Sequence, residues 1–405
     1  MRIRNHDVTL TNALDFRTVA SGLGVALPLL GVVGVVGPFL LGYHSLAIIA
    51  TYAAVPCLLA PAFGRYVSHT ERVEVASDTH VETLLTAGFF CTMAVSVVLL
   101  ATNEVRPYSY YAAVAAMASL LLLQILRVSP KTRRIWPILG QIALLQLNLV
   151  WGVTLKYNYF IGRTDIFGHV HYVRLILENN AVQSDLVGFY ESFPLWHVLG
   201  AMGHLVSGGY VSPRTVLFVT SGVLYAVVPV GVYLVARRLF DSPRVALAAG
   251  LFSCLSSTVM HNGMYSIPRS VGAFLFVFVL LAWVQDDSRS VFLFALFAAA
   301  IAAYHTVSLP FVFVILAVDF VFRRYGVSLS TTRVVPRTFD KTHFLLGLLV
   351  LVQATYWLFF AQDLLQHVVS LPFQESPPGQ INTGVVTEPL RELANYVHNS
   401  ALLLF

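Results

Sequence analysis

Residues 215–236, TVLFVTSGVLYAVVPVGVYLVA, form a continuous stretch without a single charged side chain. The hydrocarbon core of a bilayer is about 30 Å thick, so a helix needs about 20 apolar residues to cross it. The stretch meets that length and is bounded by Arg214 on one side and Arg237 on the other. It therefore predicts a transmembrane helix.

Comparable apolar runs recur along the 405 residues, of which 57% are hydrophobic and only 11% are charged. Soluble domains contain about 25% charged residues, so this composition excludes a soluble fold. We expect an all-α, polytopic transmembrane bundle with about eleven spans and additional interfacial helices. The other runs are residues 18–41, 45–64, 83–103, 107–126, 135–155, 245–260, 270–285, 290–318 and 344–362.

Two runs do not have the length of one span. Residues 194–207, PLWHVLGAMGHLVS, are too few for a straight crossing and are interpreted as an external helix lying in the membrane interface. Residues 290–318 exceed one span, and we divide them at Tyr304-His305-Thr306 into two short helices with the turn outside.

The 25 lysines and arginines indicate the orientation. A cytoplasmic N-terminus places most of them inside, as the positive-inside rule expects. The net charge of +5 is then a topology signal, and we expect no nucleic-acid partner. The longest external polar segments are residues 156–193 and 363–400, so we expect a multi-pass cell-membrane protein whose active site faces the non-cytoplasmic side.

The chain divides near the basic loop at residues 127–134. Residues 1–134 are expected to form a four-span N-terminal membrane module, and residues 135–405 a core with an external catalytic loop at residues 156–193. The last residues, Ala401–Phe405, are apolar and have the composition of another span's beginning. We therefore expect the chain to continue beyond Phe405.

The external loop contains GRTDIFGHVHYVRLILENNAVQSDLVGFYE at residues 162–191. Its apolar residues recur at spacings of three and four, which predicts an amphipathic helix on the membrane surface; they are Ile166, Val170, Val173, Ile176 and Leu177. Asp165 and His169, with Tyr172 less closely, fall near one face, while His171, Arg174 and Glu178 form a neighbouring polar stripe. Asp165 is alternatively only a helix cap, and the polar stripe only the solvated face.

The order of elements resembles that of the GT-C superfamily of membrane glycosyltransferases, which includes oligosaccharyltransferase catalytic subunits, protein mannosyltransferases and aminoarabinose transferases. A span is followed by Asp165, a helix, the segment YESFPL at residues 190–195 and an interfacial helix. Asp165 with His169 resembles the family's Asp-x-x-x-His variant. Residues 232–240 and 244–249 look like the exit of its second span and the entry of its third. The resemblance covers residues 135–362.

The resemblance implies inverting transfer of a sugar from a polyprenyl phosphate, with Asp165 as the general base. The chain departs from the oligosaccharyltransferase branch because residues 260–269 contain no acid, and a Trp-Trp-Asp motif is absent. The similarity therefore favours a monosaccharide transferase of archaeal or bacterial type over a metal-dependent oligosaccharyltransferase.

Glycosyl transfer from a lipid phosphate needs a base for the acceptor proton and cations for the departing phosphate. The candidate cations are Arg269, Arg214, Arg174 and Lys156, with Arg269 first because it lies at a short external turn beside a span. Arg269 is equally interpretable as an interface anchor. The full set of expected substrate-binding residues is His169, His171, Arg174, Glu178, Tyr190, Glu191, His261, Arg269 and His305.

The sequence requires no cofactor and leaves open a divalent metal held by external histidines, such as His169 with His261 or His305. No dinucleotide or Walker motif is present, so the donor is expected to be carried by a lipid such as dolichyl or undecaprenyl phosphate. Glycan, lipid and protein acceptors all remain open.

Two other functions compete with a transferase. A transporter or a flippase for lipid-linked sugars would have polar groups lining a path through the bilayer. A non-catalytic scaffold subunit would have Asp165 directed away from every cavity.

Overall fold

The computed structural model describes residues 79–104, 106–128, 134–152, 165–183, 189–240, 242–285, 287–324 and 341–370, with a few separate positions between 29 and 41. Contacts between residues divide the chain into two units, residues 1–74 with residues 374–405, and residues 75–373. The helices named below all belong to the second unit.

The regular structure of the described residues is helical, as the apolar runs predict. A helix satisfies its backbone hydrogen bonds internally, which an apolar surrounding requires. The helices are α1 (Thr79–Thr102), α2 (Tyr108–Arg127), α3 (Ile135–Trp151), α4 (Asp165–Asn179), α5 (Leu195–Val206), α6 (Pro213–Leu239), α7 (Pro243–Leu255), α8 (Ser257–Tyr265), α9 (Pro268–Val284), α10 (Ser288–His305), α11 (Leu309–Arg324), α12 (Thr342–Phe359) and α13 (Gln362–Ser370). Short 3-10 turns at Tyr190–Ser192 and Thr306–Ser308 precede α5 and α11.

Several helices begin where the sequence supplies a capping residue. The Ser212 hydroxyl accepts the backbone N–H of Thr215 at 3.2 Å, and Pro213 occupies the first position of α6. The Asp287 carboxylate accepts the backbone N–H of Ser290 at 2.6 Å at the beginning of α10. A polar side chain at this position satisfies a backbone donor that has no partner within the helix.

Helices that are joined by short connections and pack against each other, such as α6 with α7 and α9 with α10, run in opposite directions, which gives the bundle two ends. At one end, which we call the α4 end, α4 and the beginning of α6 line a common cleft, and Ser221 of α6 donates to the carbonyl of Gly263 in α8 at 2.8 Å. At the opposite end, an ion pair between Glu82 and Arg134 joins the beginnings of α1 and α3. The described residues that the sequence predicts to be external therefore group at the α4 end.

The apolar stretch Ser288–Phe320 is long enough for one extended span by composition, but the chain reverses within it. The indole ring of Trp283 in α9 lies 6.3 Å from the phenyl ring of Phe294 in α10. The same indole donates a hydrogen bond of 2.8 Å to the carboxylate of Asp319 in α11. A straight helix would separate Phe294 from Asp319 by roughly 37 Å. The break falls at His305, where φ is −161° and ψ is 78°, so the predicted division into two short helices is confirmed.

The expectation of eleven spans is not confirmed. Among the described residues, five helical stretches are long and apolar enough to cross a membrane by length and composition, and the reversing stretch Ser288–Phe320 is counted as one of them. The number is six if the pair α7 and α8, bent by 56°, is one span. Other predicted crossings are shorter apolar helices of 17 residues, α3 and α9. The predicted spans at residues 18–41 and 45–64, and the apolar residues 401–405, lie outside the described helices.

Polar side chains connect α2 and α3 inside the apolar bundle. The amides of Gln124 and Gln141 exchange two hydrogen bonds of 3.0 Å, and Asn148 accepts from the Tyr110 hydroxyl at 3.0 Å. Interhelical hydrogen bonds of this kind hold helices together where a lipid surrounding supplies no hydrophobic driving force. Helix α3 also packs against α6 and α7 within the same compact unit, and the division at residue 134 stays a prediction.

Candidate functional site

Helix α4 forms one wall of the candidate site and has the amphipathic character that its sequence predicts. Ile166, Val170 and Val173 are buried in the core that includes α5 and α6. Gly200 of α5 permits this approach, because a Cβ there would lie 2.9 Å from side-chain atoms of both Val173 and Leu217. The helix begins at Asp165, whose side chain lies outside the described part of the chain.

The buried face of α4 also carries an imidazole. His169 is 2% exposed and its Nδ1 lies 2.9 Å from Nε2 of His197 in α5, which is 0% exposed. The two rings stack with centroids 5.1 Å apart. One nitrogen of the pair must donate to the other, so the pair holds a proton between two helices.

The buried position of His197 has an electrostatic consequence. Burial, and secondarily the neighbouring His169, lower the pKa of His197 from its ordinary value of 6.5 to about 3. An imidazolium that cannot be solvated is disfavoured, so His197 is neutral at physiological pH. Its Nδ1 is buried and has no hydrogen-bond partner among the described residues.

Two tyrosines enclose the imidazole pair. The Tyr190 ring lies 4.8 Å from His169 and 5.3 Å from His197, and the Tyr172 ring lies 5.4 Å from His197. Burial, and after it the Glu191 carboxylate, raise the pKa of Tyr172. We call His169, Tyr172, Tyr190 and His197 the His-Tyr cluster.

The turn between α10 and α11 lies beside this cluster. The His305 ring is 5.7 Å from Phe193, whose own ring is 5.1 Å from Tyr190. The Nδ1 atom of His305 lies 2.7 Å from the Ser308 hydroxyl, which fixes the ring. His305 therefore lies near the His-Tyr cluster, with the Phe193 ring between them.

A first open cleft lies where α7 breaks into α8. Its volume is about 530 Å³, and it is lined by Ser257, Thr258, His261, Asn262, Arg269 and Ala273. The cleft combines a guanidinium and an imidazole with hydroxyl and amide groups and contains no carboxylate among its lining residues. We call it the Arg269 cleft. Such a donor-rich set suits an anion that also carries hydroxyl groups.

The turn that carries Arg269 is held in one geometry. Ser266 has a positive φ of 50°, which is sterically unfavourable for a residue with a side chain. The indole of Trp196 donates to the Ser266 carbonyl at 3.0 Å, and the Tyr225 hydroxyl donates to the Ser270 carbonyl at 2.8 Å. Helices α5 and α6 thus fix the backbone on both sides of Arg269.

A second cleft lies between α4 and the beginning of α6. It has a volume of about 420 Å³, and its lining residues are Ile166, Phe167, Val170, His171, Arg174, Ser212 and Arg214. We call it the α4–α6 cleft. It is more enclosed than the Arg269 cleft and places two guanidinium groups and one imidazole beside an apolar wall.

The structure thus distributes the predicted site residues over three places at the α4 end. His169, Tyr190 and the adjacent Glu191 belong to or border the His-Tyr cluster, with His305 nearby. His261 and Arg269 share the Arg269 cleft, while His171 and Arg174 share the α4–α6 cleft. Glu178 is exposed and lines neither cleft.

His197 and Arg214 are among the residues of these places that were not predicted to bind substrate. His197 interrupts the apolar segment at residues 194–207, and that interruption was the available signal. The sequence suggested Arg214 only as a phosphate ligand. Its proximity to Arg174 could not be inferred, because the whole of α5 lies between these two residues in the sequence.

The described residues contain no group of three or more His, Cys, Asp or Glu side chains that could hold a metal ion. His169 pairs with His197, whereas the sequence suggested His261 or His305 as its companions. No family model, no curated protein and no solved structure matches the chain.

Proposed function

We propose that this chain is a membrane glycosyltransferase of the GT-C type that transfers a sugar from a polyprenyl phosphate to an acceptor on the non-cytoplasmic side. The observation that carries the proposal is the convergence at the α4 end of the Arg269 cleft, the His-Tyr cluster and the beginning of α4. These groups are far apart in the sequence and lie at the same end of the bundle.

The Arg269 cleft is the proposed place of the donor phosphate. A guanidinium offers two parallel N–H donors to phosphate oxygens, and the fixed turn around Ser266 holds it ready for the charge that develops. Ser257, Thr258 and Asn262 supply hydroxyl and amide groups for the sugar. The polyprenyl chain would follow the apolar outer surface of the bundle.

The proposed reaction is a single displacement. A hydroxyl oxygen of the acceptor forms a bond to the anomeric carbon while the bond from that carbon to the phosphate oxygen breaks. The acceptor proton passes to the Asp165 carboxylate, and the lipid phosphate departs with the electron pair. The position of Asp165 at the beginning of α4, one residue before Ile166 of the α4–α6 cleft, supports this role.

The proposal is tested by transfer of radiolabelled sugar from polyprenyl phosphate in membranes that contain equal amounts of each variant. Asp165→Asn should reduce the rate by about 100-fold or more, because a general base contributes that much. Asp363→Asn, at an exposed carboxylate on α13, is the matched control and should retain the wild-type rate. Equal rates for both variants would remove Asp165 from the mechanism.

A transporter or flippase of lipid-linked sugars is the second candidate, and the bent pair α7 and α8 favours it. Transporters commonly bind their substrate where a helix is interrupted, and here the 56° bend carries hydroxyl and amide groups into a cleft. Reconstituted liposomes distinguish the two functions. Movement of a lipid-linked sugar between leaflets without transfer to any acceptor, across several donors, would favour the transporter.

A further inference from the structure

We propose that the α4–α6 cleft binds an amphiphile with a phosphate group; resting on the proposed function, this makes the transferase's acceptor an anionic lipid. The cleft is separate from the Arg269 cleft, because the two share no lining residue. A two-substrate transferase needs one such place for each substrate, and each place here has its own cations.

The cationic side of the cleft is built from two helices. Phe167, Val170, His171 and Arg174 recur at spacings of three and four, so they share one face of α4. Arg214 enters from the first turn of α6, where the positive end of the helix dipole adds to the potential. Arg174 is exposed and forms no ion pair with another described residue. Two forked guanidinium groups are suited to one phosphate.

The other side of the cleft is apolar and accounts for the amphiphile. Ile166 and Val170 are buried, and Phe167 is 52% exposed at the rim. A soluble sugar phosphate would gain nothing from this wall, whereas an acyl chain would bury apolar surface against it. Leu205 and Val206 at the end of α5 are also exposed apolar residues.

The order of residues along α4 relates the cleft to the chemistry. Asp165 is the first residue of α4, and the proposed phosphate ligands His171 and Arg174 follow it by one to three turns of the same helix. A headgroup held by Arg174 and Arg214 would therefore be bound by the same helix that carries the proposed base.

The experiment measures lipid binding and does not depend on transfer. The full-length protein is placed in phosphatidylcholine nanodiscs with increasing phosphatidylglycerol, and bound phosphatidylglycerol is counted by native mass spectrometry. Arg174→Gln should weaken binding at one site by about tenfold, and Arg174→Lys should restore part of it, because the charge remains and the fork is lost. Arg289→Gln removes an exposed arginine at the opposite end and should leave that site unchanged.

Equal losses in Arg174→Gln and Arg289→Gln would overturn the proposal, since they would indicate non-specific anionic lipid around the bundle. Phe167→Ser distinguishes the lipid from a soluble anion: it should weaken phosphatidylglycerol and leave competition by inorganic phosphate unchanged. Unaltered phosphatidylglycerol binding in Phe167→Ser, with strong competition by inorganic phosphate, would identify a soluble-phosphate site instead. Site-specific lipid binding without any sugar transfer would retain this inference and remove the proposed function.

Discussion

The protonation state of a single residue, His197, determines whether the His-Tyr cluster stays intact. His197 lies fully buried among aromatic rings and donates to or accepts from His169 at 2.9 Å. A charged imidazole in this place would lack solvation and would face the second imidazole. The cluster is therefore expected to be intact only while His197 is neutral.

This expectation gives a pH dependence of stability. The folded protein holds His197 at a pKa of about 3, below its ordinary 6.5, so the unfolded chain binds more protons between these values. The stabilisation is fully present above about pH 6.5 and is lost as the pH falls toward 3; between pH 7 and pH 5 the loss should be about 2 kcal/mol. His197→Gln should remove this part of the slope, measured by thermal unfolding in detergent.

The control for this measurement is His171→Gln, which replaces an exposed imidazole of α4. An unfolding temperature that falls between pH 7 and pH 5 to the same extent in His197→Gln as in the wild type would contradict the assignment to His197.

The close packing of helices α3 and α6 depends on a glycine. A Cβ atom at Gly222 would overlap the indole of Trp151, so Gly222 permits the end of α3 to lie against α6. Gly140, in α3 itself, has nothing within 4 Å of such an atom. The two positions therefore separate steric contact from helix propensity.

Gly222→Ala should destabilise the protein by about 1–3 kcal/mol, because the added methyl group forces Trp151 or the helices apart. Gly140→Ala should have the opposite sign and stabilise by about 0.5–1 kcal/mol, because alanine loses less backbone entropy in a helix. Thermal unfolding of both variants checks the signs. Equal effects would mean that the contact between Gly222 and Trp151 does not limit the packing.

The orientation of the whole molecule in the membrane is tested by labelling introduced cysteines. In a background with Cys57, Cys91 and Cys254 replaced, Tyr210→Cys should react with an impermeant maleimide in intact cells, since Tyr210 is 95% exposed at the α4 end. Ser288→Cys, exposed at the opposite end, should react only after permeabilisation. The reversed pattern would place the α4 end in the cytoplasm and contradict the proposed function.

Much of the helical arrangement could be predicted because it depends on local composition. The amphipathic α4 follows from apolar spacing, and the reversal at His305 follows from a polar interruption in an apolar run. The number of spans could not be predicted in the same way. Hydropathy counts α7 with α8 as one run, although a bend of 56° at Ser256 divides it.

The sequence by itself determined that the chain is helical, that its apolar runs suit a bilayer and that the polar residues predicted to be external gather at one end. These properties are set by hydrophobicity and by the alternation of helix direction, both of which act along the chain. Only the tertiary structure decided that His169 meets His197 and that Arg174 is with Arg214, in a different cleft from Arg269. Such pairings depend on how α4, α5 and α6 pack, because contacts between separate helices are fixed by side-chain shape and not by sequence distance.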